Sequence, residues 1–153
     1  MKKPIILILL LLLVSSFLYG ASSVEWTNIE KAYESGNSKY TILFFYTDWC
    51  SYCKKMKENT FKDPDVISNM NQYFNSIQIN AENTSIVDKK NNLSGYQLAR
   101  KYGVNGYPSI VFLDKDGNYM NSLPGYAEPK IFNIILKYFY TDAYKTESWQ
   151  SFY

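Results

Sequence analysis

The stretch KYTILFFY, from Lys39 to Tyr46, constrains the fold most strongly, because after its lysine it is a continuous run of apolar, β-branched and aromatic residues. A strand with one solvated face alternates apolar and polar residues, whereas a strand buried on both faces is a continuous apolar run. The stretch therefore predicts an inner strand of a sheet that is covered on both sides.

Predicted helices and strands alternate along the rest of the chain. Helical spacing of apolar residues predicts the helices, and short apolar runs between turn residues predict the strands. The predicted helices cover residues 24–35, 53–61, 65–74, 95–103 and 128–140; the predicted strands cover 39–46, 76–80, 108–114 and 119–123, with an exposed loop over 81–94. This order predicts an α/β fold with a central mixed sheet of about four strands and helices on both faces.

The N-terminal residues 1–22 have the layout of a secretory signal. Lys2 and Lys3 precede an apolar run over residues 5–14, and small and polar residues follow it. The run is short of the roughly 20 residues that span a bilayer, so a cleaved signal is preferred over an uncleaved inner-membrane anchor. We expect an exported domain over residues 23–140, in a compartment such as the bacterial periplasm, followed by a C-terminal extension over 141–153.

The charge balance argues against a nucleic-acid partner. The chain has 16 basic and 14 acidic residues, and removal of Lys2 and Lys3 with the signal leaves 14 of each. A domain with zero formal net charge has no electrostatic footprint for nucleic acid or for a membrane surface.

The only two cysteines, Cys50 and Cys53, are separated by two residues. A closed zinc site needs about four nitrogen or sulfur ligands, and the chain has no histidine, so we expect no metal. Covalent haem attachment needs a histidine where Lys54 stands. A structural disulfide across so short a loop would remove little entropy from the unfolded chain. A redox-active pair is the preferred interpretation, with the structural disulfide as its alternative.

The predicted position of the pair, between a buried strand and a helix, gives the two sulfurs different roles. At the helix N-terminus, unpaired N–H groups and the helix dipole would favour the thiolate of Cys50, which is the form that attacks a disulfide. Cys53, further along the helix, would remain a thiol and resolve the mixed disulfide. Lys54 would add a weaker attraction, whereas Lys55 and Lys57 are interpreted as a solvated helix face.

Two motifs in this order resemble the thioredoxin family over roughly residues 39–140. Trp49-Cys50-Ser51-Tyr52-Cys53-Lys54 resembles the family's W-C-x-x-C-K, and Gly106-Tyr107-Pro108 resembles its cis-proline motif, with Gly125 in the strand that follows. The chain is similar to exported bacterial thioredoxin-like proteins, including those of sulfur-oxidation and cytochrome-maturation systems. Through DWC…CK…TFKDPDV it also resembles the C-terminal domain of the membrane thiol:disulfide interchange protein.

The resemblance implies roles for several residues. It implies that Pro108 is cis and lies against the sulfurs, and that the backbone of Tyr107 pairs with a bound client segment. It implies that Trp49 covers the disulfide, with plain core packing as the alternative, and that Ser51 and Tyr52 tune the couple. No cofactor besides the disulfide is expected. The implied partners of this expected monomer are client proteins with disulfides and a membrane electron donor of the thiol:disulfide interchange type.

The departures from the family leave the direction of electron flow open. Phe44 stands where cytosolic thioredoxins carry a buried aspartate that helps to move the proton of the resolving thiol. Proton transfer to Cys53 would then use water or another group, of which Glu82 is one candidate. The chain between Cys53 and Pro108 has no room for the helical insertion of disulfide-forming oxidants of this fold. We therefore expect a reductant of client disulfides. A disulfide-forming oxidant and a non-catalytic binding or chaperone module are the alternatives.

Overall fold

The computed structural model describes residues 21–34 and 38–153. Its strands are β1 (Trp26–Thr27), β2 (Tyr40–Tyr46), β3 (Phe74–Asn80), β4 (Ile86–Asp88), β5 (Leu93–Ser94), β6 (Ser109–Leu113) and β7 (Tyr119–Pro124). Its α-helices are α1 (Ile29–Glu34), α2 (Ser51–Glu58), α3 (Pro64–Tyr73), α4 (Gly95–Lys101), α5 (Pro129–Tyr140) and α6 (Trp149–Phe152). The proposed signal, apart from its last two residues, lies outside the described residues. Within the described ranges, no helix is both long and apolar enough to cross a bilayer.

Five strands form the central sheet, in the order β1-β3-β2-β6-β7. The strands β1, β3 and β2 are parallel to one another, while β6 runs antiparallel to β2 and β7 antiparallel to β6. The mixed α/β sheet is as predicted from the sequence, but it has one strand more than the expected four.

The additional strand, β1, lies where a helix over residues 24–35 was predicted. Trp26 and Thr27 pair with Ser76 and Ile77 of β3, and α1 begins only at Ile29. A strand of two residues is stabilised by its neighbour and not by its own pattern, so the spacing of apolar residues alone could not separate it from the helix.

Two buried clusters lie on opposite faces of the sheet. In β2, Ile42 and Phe44 belong to one cluster, and Leu43 and Phe45 belong to the other. The first cluster, here called the disulfide face, includes both cysteines and is covered by α2, α3 and α5. The second, here called the aliphatic face, is covered by α1 and α4. Helices on both sides of β2 account for its continuous apolar sequence.

The predicted exposed loop over 81–94 contains the small hairpin β4–β5. Its anchor is Asp88, which is buried and accepts hydrogen bonds from the Tyr33 hydroxyl at 2.9 Å and the Asn91 side chain at 2.8 Å. The end of this segment lies against its beginning. The backbone of Gly95 is so close to the carbonyl oxygen of Asn80 that a side chain at position 95 would collide with it.

The C-terminal extension packs on α5. The rings of Trp149 and Phe152 lie 5.5 and 5.1 Å from the ring of Tyr138. Asp142, before a short 3₁₀ turn at Ala143–Lys145, accepts a hydrogen bond of 2.6 Å from the Tyr40 hydroxyl at the start of β2. These aromatic contacts and this hydrogen bond attach the extension to the domain.

Candidate active site

Cys50 lies at the start of α2, where it forms the N-cap of the helix with extended backbone angles. Its Sγ accepts a hydrogen bond of 3.1 Å from the backbone N–H of Cys53, one of the amides that a helix start leaves without an intrahelical partner. The two cysteines form a disulfide, with their Cα atoms 5.2 Å apart. The placement of Cys50 at the helix start, expected from the sequence, is therefore observed.

Burial distinguishes the two cysteines only slightly. Cys50 is 6% exposed and Cys53 1% exposed, and both belong to the disulfide face. What distinguishes them is position, because the sulfur of Cys50 lies at the N-cap, next to the free amides and the positive end of the helix dipole. Cys50, and not Cys53, therefore occupies the helix start, although both residues are buried.

The Tyr107–Pro108 peptide bond is cis. It immediately precedes β6, whose first residue, Ser109, pairs with Phe45 near the end of β2. Because β2 and β6 are antiparallel, the end of one strand and the start of the other lie at the same edge of the sheet. The ring of Tyr107 stands edge-on to that of Trp49, with the ring centroids 6.1 Å apart. The topology thus brings the CxxC and proline motifs together.

Trp49 is the most exposed large apolar residue described, at 71%, which excludes plain core packing. Its indole N–H donates a hydrogen bond of 2.9 Å to the Glu82 carboxylate. The Asn80 side chain accepts from the Glu82 backbone N–H at 2.9 Å and donates to Asp48 at 3.2 Å. These bonds join the residues before Cys50 to the end of β3. The carboxylate of Glu82, exposed and bonded to Trp49, does not occupy the place of a buried acid.

Of the remaining supporting residues, Ser51, Tyr52 and Lys54 are exposed. The Tyr52 ring lies 6.2 Å from that of Tyr126, which follows β7. The Lys54 ammonium lies 3.9 Å from Glu58 on the outer side of α2. Lys54 is therefore paired in solvent, so the attraction to Cys50 that the sequence suggested is weak.

Phe44 is fully buried within an aromatic cluster. Its ring contacts those of Trp26, Tyr46 and Phe61, at centroid distances of 6.1, 5.8 and 5.0 Å. The position of the family's buried acid is therefore filled by an aromatic ring that belongs to an apolar wall.

Lys57 is the residue of this region whose environment the sequence analysis missed. It was interpreted as part of a solvated helix face, but its Nζ lies 3.4 Å from the ring centroid of Tyr46 and the residue is half-buried. Burial lowers the pKa of Lys57, and the charge of Asp48 opposes that shift. The spacing from Cys53, four residues along one helix, was the available signal. Lys55 is exposed, as predicted.

The comparisons with known proteins agree with this geometry. The family described as Thioredoxin-like domain matches residues 28–140. A thiol:disulfide interchange protein, DsbD, of Photorhabdus laumondii is 31% identical over 116 residues, which are 74% of this chain and only 19% of that protein. The chain belongs to the thioredoxin-like family.

Solved structures show the same fold. A thioredoxin-fold protein from Helicobacter pylori superposes with a TM-score of 0.64 at 26% identity, covering 76% of this chain and 78% of that one. The oxidised C-terminal domain of DsbD from Neisseria meningitidis gives 0.53 at 25% identity, covering 71% and 86%. The family and the close cysteine pair together support a thiol–disulfide oxidoreductase.

Proposed function

We propose that this chain is an exported thiol–disulfide oxidoreductase that reduces disulfides in client proteins. The observation that carries the proposal is the position of Cys50, whose sulfur caps α2 and accepts the N–H of Cys53. A helix N-terminus stabilises a thiolate, and the thiolate is the nucleophile in disulfide exchange.

The reaction needs only the two cysteines of this chain. The Cys50 thiolate attacks one sulfur of a client disulfide, and the other client sulfur leaves as a thiolate that takes up a proton. Cys53 then loses its proton and attacks Cys50, which forms the Cys50–Cys53 bond and releases the second client thiol. Two electrons pass to the client, and the oxidised pair must be reduced again by a donor.

One observation supports the reductive direction. Between Cys53 and Pro108 the chain holds the rest of α2, a 3₁₀ turn, α3, β3, the small β4–β5 hairpin and α4, without the helical insertion of oxidants of this fold. The relative from Photorhabdus is named a thiol:disulfide interchange protein, so a membrane protein of that kind is the donor we propose. Export rests on the signal-like residues 1–22, and we propose a periplasmic monomer, free or anchored by that segment.

The test is to trap clients in the export compartment. A Cys53→Ser variant should accumulate mixed disulfides through Cys50, and a Cys50→Ser variant, its matched control, should accumulate none. The redox state of Cys50–Cys53 in cells gives the direction, because a reductant is kept mainly reduced and an oxidant mainly oxidised. The absence of adducts, together with full function of Cys50→Ser, would instead establish a non-catalytic binding module.

A further inference from the structure

The proposed reaction, on which this inference rests, requires Cys53 to lose a proton while it is buried. Burial in apolar surroundings disfavours a thiolate and raises the pKa of a thiol. Cytosolic members of the family are held to use a buried aspartate for this step, but here Phe44 closes that position with an aromatic ring. The loss of this proton must therefore be assisted by water or by another group.

Lys57 is the cation placed to do so. It follows Cys53 by four residues in α2, which puts both side chains on one face of the helix with Cβ atoms roughly 6 Å apart. Its Nζ lies 3.4 Å from the ring centroid of Tyr46 and 5.8 Å from that of Phe44. Phe44 and Cys53 belong to the same buried cluster, so the ammonium is held at the edge of the disulfide face.

The other charged groups near this cation are few. Asp48, in the loop between β2 and α2, is the carboxylate whose charge acts on Lys57, and it is also hydrogen-bonded to the Asn80 side chain at 3.2 Å. From β2, Tyr46 presents its ring, and burial raises the pKa of its hydroxyl. On α2 itself, Lys54 and Glu58 pair with each other in solvent.

Lys55 provides an internal comparison on the same helix. Its Nζ lies 3.4 Å from Glu128 and 4.2 Å from the ring centroid of Tyr126, on an exposed side of α2. It has the same charge and a similar cation–ring contact, but its cation lies beside a carboxylate in solvent.

We propose that the Lys57 ammonium takes over the role of the missing buried acid, by stabilising the Cys53 thiolate when the mixed disulfide is resolved. The Cys53 proton leaves to water, and the thiolate forms beside the cation. It then attacks Cys50 Sγ, the Cys50–client bond breaks, and the client sulfur departs with the electron pair and takes up a proton. Lys57 is an electrostatic group for the resolving step and is not a nucleophile.

The experiment separates the two exchange steps. Reduced protein is mixed with one equivalent of an aromatic disulfide whose two halves are each released as a coloured thiolate. The first release reports the attack by Cys50, and the second reports resolution by Cys53. Both are followed against pH in the native protein, in Lys57→Met, Lys57→Gln and Lys57→Arg, and in Lys55→Met as the matched control.

We expect the second release to slow about tenfold in Lys57→Met and Lys57→Gln at pH values where Cys53 is protonated, because loss of the cation disfavours its thiolate. The first release should change less than twofold. Lys57→Arg keeps the charge and should stay within about twofold of the native rate, as should Lys55→Met. Denaturant unfolding of each variant verifies that it folds.

Three outcomes would overturn the inference: an unchanged second step in folded Lys57→Met and Lys57→Gln, an equal slowing in Lys55→Met, or Lys57→Arg behaving like Lys57→Met. The last would mean that a neutral amine, and not the charge, takes the proton. In each case a fast first release would leave the proposed function intact. A first release no faster than that of an ordinary thiol would instead reject the proposed function.

Discussion

The two faces of the central sheet are built differently. The disulfide face contains six buried phenylalanines, whereas the aliphatic face is packed by leucine, isoleucine, valine and alanine with a single buried phenylalanine, Phe45. The buried phenylalanines of the disulfide face are Phe44, Phe61, Phe74, Phe112, Phe132 and Phe139. The same strands therefore carry two kinds of core.

The difference extends to buried charge. On the side of the aliphatic face, Asp88 is 1% exposed but accepts three hydrogen bonds, from Tyr33 and from the backbone and side chain of Asn91. Around Phe44, by contrast, the neighbouring side chains present the faces and edges of aromatic rings. A buried charge is thus found where a loop supplies hydrogen-bond donors, as at Asp88. Near the cysteines, the charged group Lys57 lies at the edge of the buried cluster.

The largest expected effect comes from placing the family's acid in the aromatic cluster. Phe44→Asp should lower the free energy of unfolding by about 4 kcal/mol at neutral pH, because it buries a carboxylate among aromatic rings and removes ring contacts. Burial would raise the pKa of the introduced carboxyl above its unfolded value of about 3.9, so the loss should shrink as pH falls through the raised pKa towards about 4 and should level off below that. Urea unfolding at several pH values measures both.

The matched control is Phe44→Leu, which keeps the position apolar and should cost about 1 kcal/mol without the pH dependence. A folded Phe44→Asp protein of near-native stability would mean that the cluster admits water or a counter-ion, and the contrast between the two faces would lose its basis.

A cavity in the aliphatic face should lower stability without changing the reactivity of the cysteines. Leu98→Ala, in the aliphatic cluster, should lower the free energy of unfolding by about 3 kcal/mol. Because that cluster contains neither cysteine, the alkylation rate of Cys50 in the reduced, folded protein should be unchanged. A changed alkylation rate would show that the two faces are coupled through β2.

A smaller effect is expected at the buried carboxylate. Tyr33→Phe removes the 2.9 Å hydrogen bond to Asp88 and the 3.0 Å bond that the Tyr33 hydroxyl accepts from the Asn91 side chain. It should cost about 1 kcal/mol, since Asp88 keeps its two bonds from Asn91. Burial is the first cause of the raised pKa of Tyr33, and the bond to Asp88 is the second. Thermal unfolding gives the cost; Tyr119→Phe, another exposed tyrosine, is the control and should change stability little.

The smallest effect is expected at the edge of the disulfide face. Glu82→Ala removes the acceptor of the Trp49 indole and should alter stability by less than about 0.5 kcal/mol. The indole N–H of Trp49 should exchange with solvent faster, as measured by nuclear magnetic resonance, while Glu82→Gln, which keeps a carbonyl acceptor, should retain slow exchange. Equal exchange in both variants would show that the hydrogen bond does not hold the ring.

The sequence predicted those parts of the fold that depend on local pattern. The β2 strand, predicted from Lys39, runs from Tyr40 to Tyr46, and α5 begins at Pro129 within the predicted helix. The position of Cys50 at a helix start followed from a buried strand running directly into a helical pattern. Each of these depends on residues adjacent in the chain.

The features that the sequence missed depend on contacts between distant residues. β1 forms because Trp26 and Thr27 pair with β3. The hairpin β4–β5 is attached to α1 by the hydrogen bond from the Tyr33 hydroxyl to Asp88. The helical spacing of Lys57 fits a solvated face as well as a half-buried one. Only the contact with the Tyr46 ring distinguishes the two, and the spacing does not show that contact. The spacing of residues along a helix shows which residues share a face, but it does not show which residues of other elements pack against that face.

The close approach of Gly95 to the Asn80 carbonyl means that the chain leaves and re-enters the domain body at almost the same point. Lengthening such an excursion costs little, about 0.6 kcal/mol for each doubling, and does not move the strands on either side of it. Glu82, at the start of this segment, is hydrogen-bonded to Trp49. Changes in the length or sequence of the segment can therefore alter the surface next to the active site while the two cysteines keep their positions.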